Sequence, residues 1–555
     1  RDEAERADPM VMLDEHIPGP KAGLSEQIRR WRLDFRLALV VTAEIIALAV
    51  LAAITPVLWW VAVLIAVAAL LVVTLSYNGA TAWEWLVRAL RYAYFRRNTR
   101  AHLRRAGISP AFTVDMPGAG AVGMRWDGQY AITMIALHGK PFAPTVLVPA
   151  GAETTSLVPV QAVIDQLHQF AGLELHSADI VSAGARVALD GRYTPKYEEI
   201  IADRAAVGER RTWLVLRLCP QACLAAMMYR GDAAAAAAAA TERVRQSVLR
   251  AGCRAITCTA DQVDQSTKAL LAGAELERIR EGWGYLDTVS QYVTTYRIAG
   301  NDLTTRVLND VWTVRSDATV TSIRLTADRA GVVAAGAVVR FHTAAPLPHP
   351  PLLTLRPIIG QCFDSLLASL PLGDRALRLE MSPRRLTNPA ELKVPVGPSG
   401  PMLGMTVTGV PFLMPLTDPL RASTISVSAS LDAVIPLLLR ASAAGSVILI
   451  HTERPQVWQP LLDNAHRISL ASDREPVRPP NVIVADGIGH GLTAGERGHT
   501  LITLTDVAEP SADVTLVQQS GDELVLGTPS VQGVRLSIMR PRNEAQFLSH
   551  LVVRT

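Results

Sequence analysis

At 555 residues, the chain is long enough for two to three domains besides a membrane region of about 110 residues. Its net charge of +3 excludes the strongly acidic and strongly basic classes of protein. Five cysteines without a C-x-x-C pair argue against a disulfide framework and predict free thiols in a reducing cytoplasm. A zinc site formed by Cys219, Cys223, Cys253 and Cys258 is an alternative, although apolar, strand-like runs around these residues favour buried thiols.

Residues 1–27 mix acidic residues, prolines and glycines without a period, which predicts a mobile tail. Because the chain begins with Arg1 rather than Met, further N-terminal sequence is expected. The next feature is an apolar stretch with one break, at Thr55-Pro56. The stretch predicts two transmembrane helices, at about 37–54 and 57–75, because each half has the roughly 18 to 19 residues that cross a bilayer.

Three side chains inside the predicted hairpin are candidates for membrane packing or an interface. Trp59 and Trp60 follow the break, where an interfacial aromatic belt lies. Glu44 is the one charged residue of the stretch, and burying it in lipid costs about 2.5 to 3.5 kcal/mol. We therefore expect one of two roles. Glu44 either makes a polar contact with another subunit's helix or serves as a proton site, or its side chain reaches the cytoplasmic headgroups.

Arginines flank both predicted spans, whereas the connecting turn has no charge. The positive-inside rule then places both termini and the large domains in the cytoplasm. After the second span, arginines alternate with aromatic residues, which predicts a helix along the membrane surface. Its lipid-facing basic belt comprises Arg88, Arg91, Arg96, Arg97, Arg100, Arg104 and Arg105. Membrane lipids are favoured over nucleic acid as the partner because the belt adjoins the spans.

The predicted fold class is α/β, with an N-terminal two-helix transmembrane hairpin followed by two cytoplasmic α/β, Rossmann-like domains. The hairpin and its basic juxtamembrane helix occupy 28–110. In 111–345, strands alternate with helices, among them an amphipathic helix ending at Gly172. A linker and a helix occupy 346–389. In 390–555, a β-α-β-α series and further strands predict a doubly wound sheet with an antiparallel edge.

Two partial nucleotide motifs lack the context that their chemistry requires. Gly118–Gly123 matches G-x-G-x-x-G, but a hairpin with an Asp127-Gly128 turn follows it instead of a helix. The one Gly-Lys pair, Gly139-Lys140, is not part of a P-loop. Asp486 and Asp506 end apolar strands as a Walker B aspartate does, yet no phosphate loop accompanies them.

Catalytic motifs are also missing from the sequence. The loop Gly487–Gly491 is not followed by an apolar helix, and no D-x-D pair of the type that holds a metal–sugar-nucleotide is present. His451, at the end of a strand, is the best single candidate for acid–base chemistry, but a structural histidine is the stronger interpretation. We predict no enzyme activity, no cofactor and no metal.

Four segments in order, SYNGATAWEW, VGMRWDGQYAITMIAL, RRTWLVLRLCPQ and ATERVRQSVL, resemble the EccE family of mycobacterial type VII (ESX) secretion systems. The resemblance covers about 35–345. It implies a subunit of an inner-membrane complex with EccB, EccD and the ATPase EccC, and a glycosyltransferase-like or Rossmann-like cytoplasmic shape. Nothing carries over to the region after about 390.

The leading hypothesis is a non-catalytic structural subunit, multi-pass in the inner membrane, that anchors and braces the EccB/EccC/EccD core. The alternative is a membrane-anchored enzyme or nucleotide-sensing protein with a degenerate Rossmann-like or glycosyltransferase-like domain. The sequence supports the anchor directly and the subunit role only through the resemblance.

Overall fold

The structure is a computed structural model that describes residues 31–33, 75–77, 80–116, 120–149, 151–228, 230, 232–462, 466–471, 478–487 and 492–552. The chain divides into two compact units, Arg1–Arg97 and Asn98–Thr555. Several predicted features lie outside the described residues, namely the tail at 1–27, the spans except Leu75, and the candidates Glu44, Trp59 and Trp60.

The described part of the first unit is a small antiparallel sheet followed by one helix. The sheet has the order β1 (Trp31–Leu33), β2 (Leu75–Tyr77), β3 (Ala80–Thr81), and α1 (Ala82–Arg97) follows it directly. Thr81 and Glu84 cap the start of α1, because the side chain of each accepts a hydrogen bond from the backbone N–H of the other. Leu75 begins a strand rather than ending a helix. Within the described ranges, no helix combines the length and apolarity needed to cross a bilayer.

Most elements of the second unit are strands. In chain order they are β4 (Phe112–Met116), β5 (Gly120–Asp127), β6 (Tyr130–His138), β7 (Thr145–Val148), β8 (Gly151–Thr154), β9 (His168–Gln169), β10 (Leu173–Ala185), β11 (Glu209–Leu218), β12 (Arg254–Thr257), β13 (Arg280–Glu281), β14 (Leu286–Asp287), β15 (Tyr292–Ile298), β16 (Ala318–Ala327), β17 (Val333–Thr343), β18 (Leu355–Pro357), β19 (Arg384–Arg385), β20 (Met402–Thr406), β21 (Pro411–Leu413), β22 (Ser423–Ser428), β23 (Ile448–Thr452), β24 (Ile468–Leu470), β25 (Val482–Asp486), β26 (Thr500–Leu504), β27 (Val514–Ser520), β28 (Glu523–Gly527) and β29 (Val534–Ser537).

The helices of this unit pack against the sheets. They are α2 (Thr99–Ala106), α3 (Val160–Ile164), α4 (Thr194–Ile201), α5 (Leu224–Met227), α6 (Ala233–Arg250), α7 (Ala260–Leu270), α8 (Thr305–Asp310), α9 (Cys362–Ala368), α10 (Asp374–Leu377), α11 (Leu431–Ala443), α12 (Pro455–Leu462) and α13 (Arg542–Val552). The long helix predicted to end at Gly172 is wrong beyond Ile164. After α3 the chain forms β9 and then turns through Ala171 and Gly172, which both have positive φ.

Strands β4 to β6 and β9 to β19 form the first sheet, with the main order β13-β14-β15-β17-β16-β10-β11-β6-β5-β4. Its interior strands are buried on both faces: alternate residues of β11 contribute Leu214 and Leu216 to one core and Trp213 and Val215 to another. Helix α6 covers the first of these faces, and α7 and α9 cover the second. All of its ladders are antiparallel, so the Rossmann-like expectation is wrong for this sheet.

The other strands form the second sheet, in the order β24-β23-β25-β26-β22-β27-β28-β29-β20-β21-β7-β8. Strands β22 to β27 pair in parallel, as predicted, and the remaining strands form a long antiparallel edge. The parallel part departs from the Rossmann order because its first strand, β22, lies between its last two, β26 and β27. The mixed α/β content is therefore confirmed, whereas the Rossmann-like order is not found.

The β7–β8 hairpin connects the two halves of the second unit. Although it follows β6 of the first sheet, β7 pairs with β21 of the second, with Thr145 opposite Leu413 and Val146 opposite Phe412. Helix α4 likewise contributes Tyr197 to the core of the second sheet. Early segments of the chain thus complete a sheet that is built mainly from its last third.

Candidate functional site

A layer of buried arginines lies on the face of the first sheet that α9 covers. Its members come from four strands and are Arg125, Arg217, Arg324 and Arg340. Arg217 donates to the carbonyls of Leu370 and Leu372 at 3.3 and 2.5 Å, and Arg324 donates to that of Ala368 at 3.2 Å. The last carbonyls of a helix lack donors within the helix, so the arginines satisfy groups of α9 and of the turn after it.

Asp179 of β10 lies at the centre of this layer and is fully buried. Its carboxylate is 2.7 Å from Nη1 of Arg217 and accepts hydrogen bonds from Arg324 at 3.0 Å. Burial alone raises the pKa of Asp179, but the two guanidinium groups outweigh it and hold the pKa below its usual range. Asp179 is therefore charged and compensates two arginines at once.

Arg105 is not part of the lipid-facing belt predicted from the sequence, and we correct this assignment. It is 6% exposed, its guanidinium lies over the Phe363 ring, and it forms ion pairs with Glu281 at 3.2 Å and Asp364 at 2.7 Å. A run of arginines alone does not show which of them faces inward. The other six predicted belt residues are exposed or half-buried; Arg88, Arg91, Arg96 and Arg97 lie on α1, and Arg100 and Arg104 on α2.

The strand-end aspartate Asp486 is surrounded by donors from its own chain. Its carboxylate accepts hydrogen bonds from Thr452 and Trp458 at 2.8 Å and from Arg454 at 2.6 Å. Burial raises the pKa of Asp486, but these partners, Arg454 first, hold it below the usual range. Nearby His451 is a half-buried residue of β23, opposite Ala485. Asp486 and its three donors therefore form a closed polar cluster rather than an open site.

The four cysteines of the zinc alternative do not come together. Cys219 and Cys258 lie in the core on one face of the first sheet, and Cys223 and Cys253 lie in the core on the other. Burial raises the pKa of Cys253 to about 11 and that of Cys258 to about 12. In the part of the chain that the structure describes, no group of three or more His, Cys, Asp or Glu side chains is arranged to hold a metal.

The glycine-rich segment before residue 124 has a packing role where it is described. Gly123 lies in β5, and the Asp127–Gly128 turn leads into β6, so the predicted hairpin is confirmed. A side chain at Gly123 does not fit, because a Cβ there would lie 2.4 Å from the backbone of Thr259, the residue that caps α7. The glycine allows α7 to approach the sheet.

A cavity of about 410 Å³ lies at the joint between the two sheets. The end of β6 and the starts of β11 and β12 form one wall, and residues 395–401, 415–417, 419 and 444–446 form much of the other. Arg254 spans the joint, since it donates to the Gly139 carbonyl at 2.8 Å and to Asp418 at 2.9 Å. Backbone hydrogen bonds, such as that from Ala188 to Ala443 at 2.7 Å, also cross it.

The sequence interpretation missed both the arginine layer and this cavity. A signal for the layer is present: Arg324 and Arg340 are each the one charged residue of their strand, and Arg217 is the one charge in the run TWLVLRL of β11. Such a strand is buried on both faces, so a charge within it requires a buried partner. The cavity leaves no comparable signal, because its walls come from segments far apart in the sequence.

Comparisons with known proteins match the sequence to one family. The family model "Putative type VII ESX secretion system translocon, EccE" matches residues 206–298, which include β11, α6 and α7. The ESX-5 secretion system protein EccE5 of Mycobacterium tuberculosis is 31% identical over 354 residues, which cover 61% of this chain and 86% of that protein. The ESX-2 protein EccE2 of the same species is 27% identical over 398 residues, covering 72% and 71%. The ESX-1 protein EccE1 of Mycolicibacterium smegmatis is 27% identical over 410 residues, covering 71% and 77%.

Proposed function

Because the chain belongs to the EccE family and is thus a component of a type VII secretion system, we propose that it is a non-catalytic structural subunit. In this role it anchors and braces a core of EccB, EccC and EccD in the inner membrane. The ATPase EccC then supplies the energy for secretion, and this chain positions and stiffens the core.

The arginine layer is the observation that carries the structural role. It ties four strands of the first sheet to one helix and the turn after it, and Asp179 fixes two of the arginines. Breaking such buried pairs is costly, so the layer resists deformation of the sheet. A subunit that braces its neighbours needs this resistance.

The membrane anchor in this proposal is the apolar stretch with Glu44, Trp59 and Trp60, followed by α1. Helix α1 exposes Trp83 and Leu90 as well as arginines near its end. This mixture suits a helix at the lipid interface, where aromatic rings and basic groups contact headgroups. Both termini and the large domains are then cytoplasmic.

Purification from the native membrane tests the proposal. The full-length chain is tagged, extracted in mild detergent and analysed by mass spectrometry together with the proteins that accompany it. Recovery with EccB, EccC and EccD supports the structural role. Recovery of the chain alone contradicts it and favours the membrane-anchored enzyme or nucleotide-sensing protein, which nucleotides and sugar-nucleotides then test.

A pair of variants at one position refines the test. If Glu44 packs against a partner helix, Glu44→Leu lowers the yield of partner subunits, whereas Glu44→Gln retains most of it because an amide still hydrogen-bonds. Membrane insertion stays intact in both. If both variants and the unmodified chain recover the same amount of partner subunits, Glu44 is not part of the interface.

A further inference from the structure

One arginine in the cavity between the sheets differs from every member of the arginine layer. Arg210, in β11, lines the cavity and is 7% exposed. Its guanidinium carbon lies 4.4 Å from the centre of the Trp312 ring. Among the described residues, no carboxylate pairs with Arg210, and its Nε has no hydrogen-bond partner.

Other buried arginines also leave Nε unpaired, but their remaining nitrogens are bound. Arg125 donates to Asp264 at 2.5 Å, and Arg186 donates to the Thr313 carbonyl at 2.6 Å. For Arg210, the contact that the guanidinium makes among the described residues is with the face of the Trp312 ring. Burial lowers its pKa to about 9, and no neighbouring charge opposes this effect. A guanidinium in this position is stabilised when an anion enters the cavity.

The charges on the cavity walls also favour an anionic ligand. Lys140 and Arg211 also line the cavity, are exposed, and form no ion pair within the described chain. Burial, and then the charge of Arg254, lower the pKa of His138, so this histidine is neutral at pH 7. Glu209 is the one acidic residue among the lining side chains. The cavity is therefore electropositive.

The far wall is held in shape by backbone geometry. Residues 395–401 contain Gly397 and Gly400, both with positive φ, and a Cβ at Gly400 would lie 2.2 Å from the Met414 carbonyl oxygen. Ser399 donates its N–H to the Val207 carbonyl at 2.8 Å, which ties this loop to the opposite wall. A volume of about 410 Å³ lies in the range of small-molecule sites.

We propose that this cavity binds a small molecule bearing a phosphate or diphosphate group, with Arg210 as its anchor and Lys140 and Arg211 as supporting cations. A planar guanidinium matches two phosphate oxygens at once, and several cations favour a multiply charged group over a single carboxylate. The ligand contacts both sheets and so stiffens their joint. This proposal goes beyond the structural role and does not depend on it.

Ligand-induced stabilisation of the full-length protein in detergent provides the test. Sodium pyrophosphate is the probe, with sodium chloride at equal ionic strength as the blank, and both the unfolding midpoint and calorimetric titration are recorded. We expect a rise in the midpoint and one site per chain. If pyrophosphate neither raises the unfolding midpoint nor binds in the calorimetric titration, the proposal is overturned.

Variants locate the binding site. Arg210→Met keeps an apolar stem over Trp312 and lowers affinity at least tenfold, whereas Arg329→Met, at an exposed turn away from the cavity, leaves affinity unchanged. If Arg210→Met does not fold, the exposed variants Lys140→Met and Arg211→Met replace it and each lowers affinity about threefold. Equal affinity in the cavity variants and the unmodified chain overturns the proposal.

A second probe separates two sources of phosphate. Dihexanoyl phosphatidic acid is titrated against the same protein. Binding of pyrophosphate alone indicates a soluble ligand, and binding of phosphatidic acid that Arg210→Met abolishes indicates a lipid headgroup. If neither probe responds to the cavity variants, the cavity does not recognise phosphate.

Discussion

The two sheets of the second unit stabilise their interiors by different means. In the first sheet, Asp179 and a layer of arginines form a connected set of buried charges that also satisfies helix carbonyls. In the second, parallel strands contribute apolar residues such as Ile502 to the core, and a buried ion pair joins Arg440 of α11 to Glu544 of α13. Buried ion pairs fix geometry, whereas apolar burial supplies most of the favourable free energy. The first sheet is therefore the more sensitive to charge, and the second to volume.

Replacing the central carboxylate should have the largest effect. Asp179→Asn keeps the shape but leaves Arg217 and Arg324 without a counter-charge in a site with no access to water. We expect a loss of about 3 to 5 kcal/mol in the free energy of unfolding, measured by urea denaturation. A loss below about 1 kcal/mol would show that the layer is not a connected ionic set.

The same variant sharpens the comparison through pH. Because the pKa of Asp179 is lower in the folded than in the unfolded chain, its stabilisation is present above the unfolded value of about 3.9. That stabilisation is lost as the pH falls through the folded pKa. Between pH 6 and 3, the unmodified chain should lose more stability than Asp179→Asn, and parallel pH curves would contradict this.

Arg105 and Arg104 form a matched pair for the corrected assignment. Arg105→Met leaves Glu281 and Asp364 buried without their shared cation and should cost about 3 kcal/mol in unfolding free energy. Arg104→Met removes an exposed charge and should cost less than about 0.5 kcal/mol. If Arg104→Met lowers the thermal unfolding midpoint more than Arg105→Met does, Arg105 belongs to the exposed belt after all.

Glu544→Gln tests the buried ion pair between α11 and α13. Glu544 accepts a hydrogen bond from Arg440 Nε at 2.9 Å and also bonds the Tyr193 hydroxyl. Arg440 keeps a bond to the Met539 carbonyl at 2.7 Å, so the expected cost is smaller, about 2 kcal/mol. Glu523→Gln, in a half-exposed pair with Arg535, is the control and should change little in the same urea titration.

Among the buried sites, loss of a single methyl group from the core of the second sheet should have the smallest effect. Ile502→Val removes one methylene-sized volume from a buried strand and should cost about 1 kcal/mol. The loss should be equal at pH 4 and pH 7 and at low and high salt, because no charge is involved. A strong pH dependence would show that the two sheets do not differ as described.

Local features of the fold could be predicted from the sequence because their signals lie within a few residues. The turn at Asp127–Gly128 was predicted from its two residues and is confirmed. Asp232 and Thr259, which cap α6 and α7, carry a signal of the same local kind. Strand pairing was not predictable, because alternation of apolar residues shows that a strand is buried but not which strand lies beside it. The Rossmann expectation failed for this reason.

The candidate sites also separate into features that the sequence reveals and features that depend on distant parts of the chain. Asp486 was found as a strand-end carboxylate, but its partner Trp458 lies on a separate element, so its enclosure was not visible in the sequence. Arg105 was counted with its exposed neighbours because charge spacing carries no information on burial. Arg210 is one of two adjacent arginines in the sequence, and only its burial beside Trp312 distinguishes it.

The β7–β8 hairpin has a consequence for how the chain is made and how it can be cut. During synthesis the hairpin emerges long before β21, so β7 waits without this partner until the chain has been made to about residue 413. A fragment that starts at residue 390 lacks the hairpin and exposes the backbone edge of β21 to other chains. Such a fragment should self-associate, and supplying residues 140–156 as a separate peptide should suppress that association.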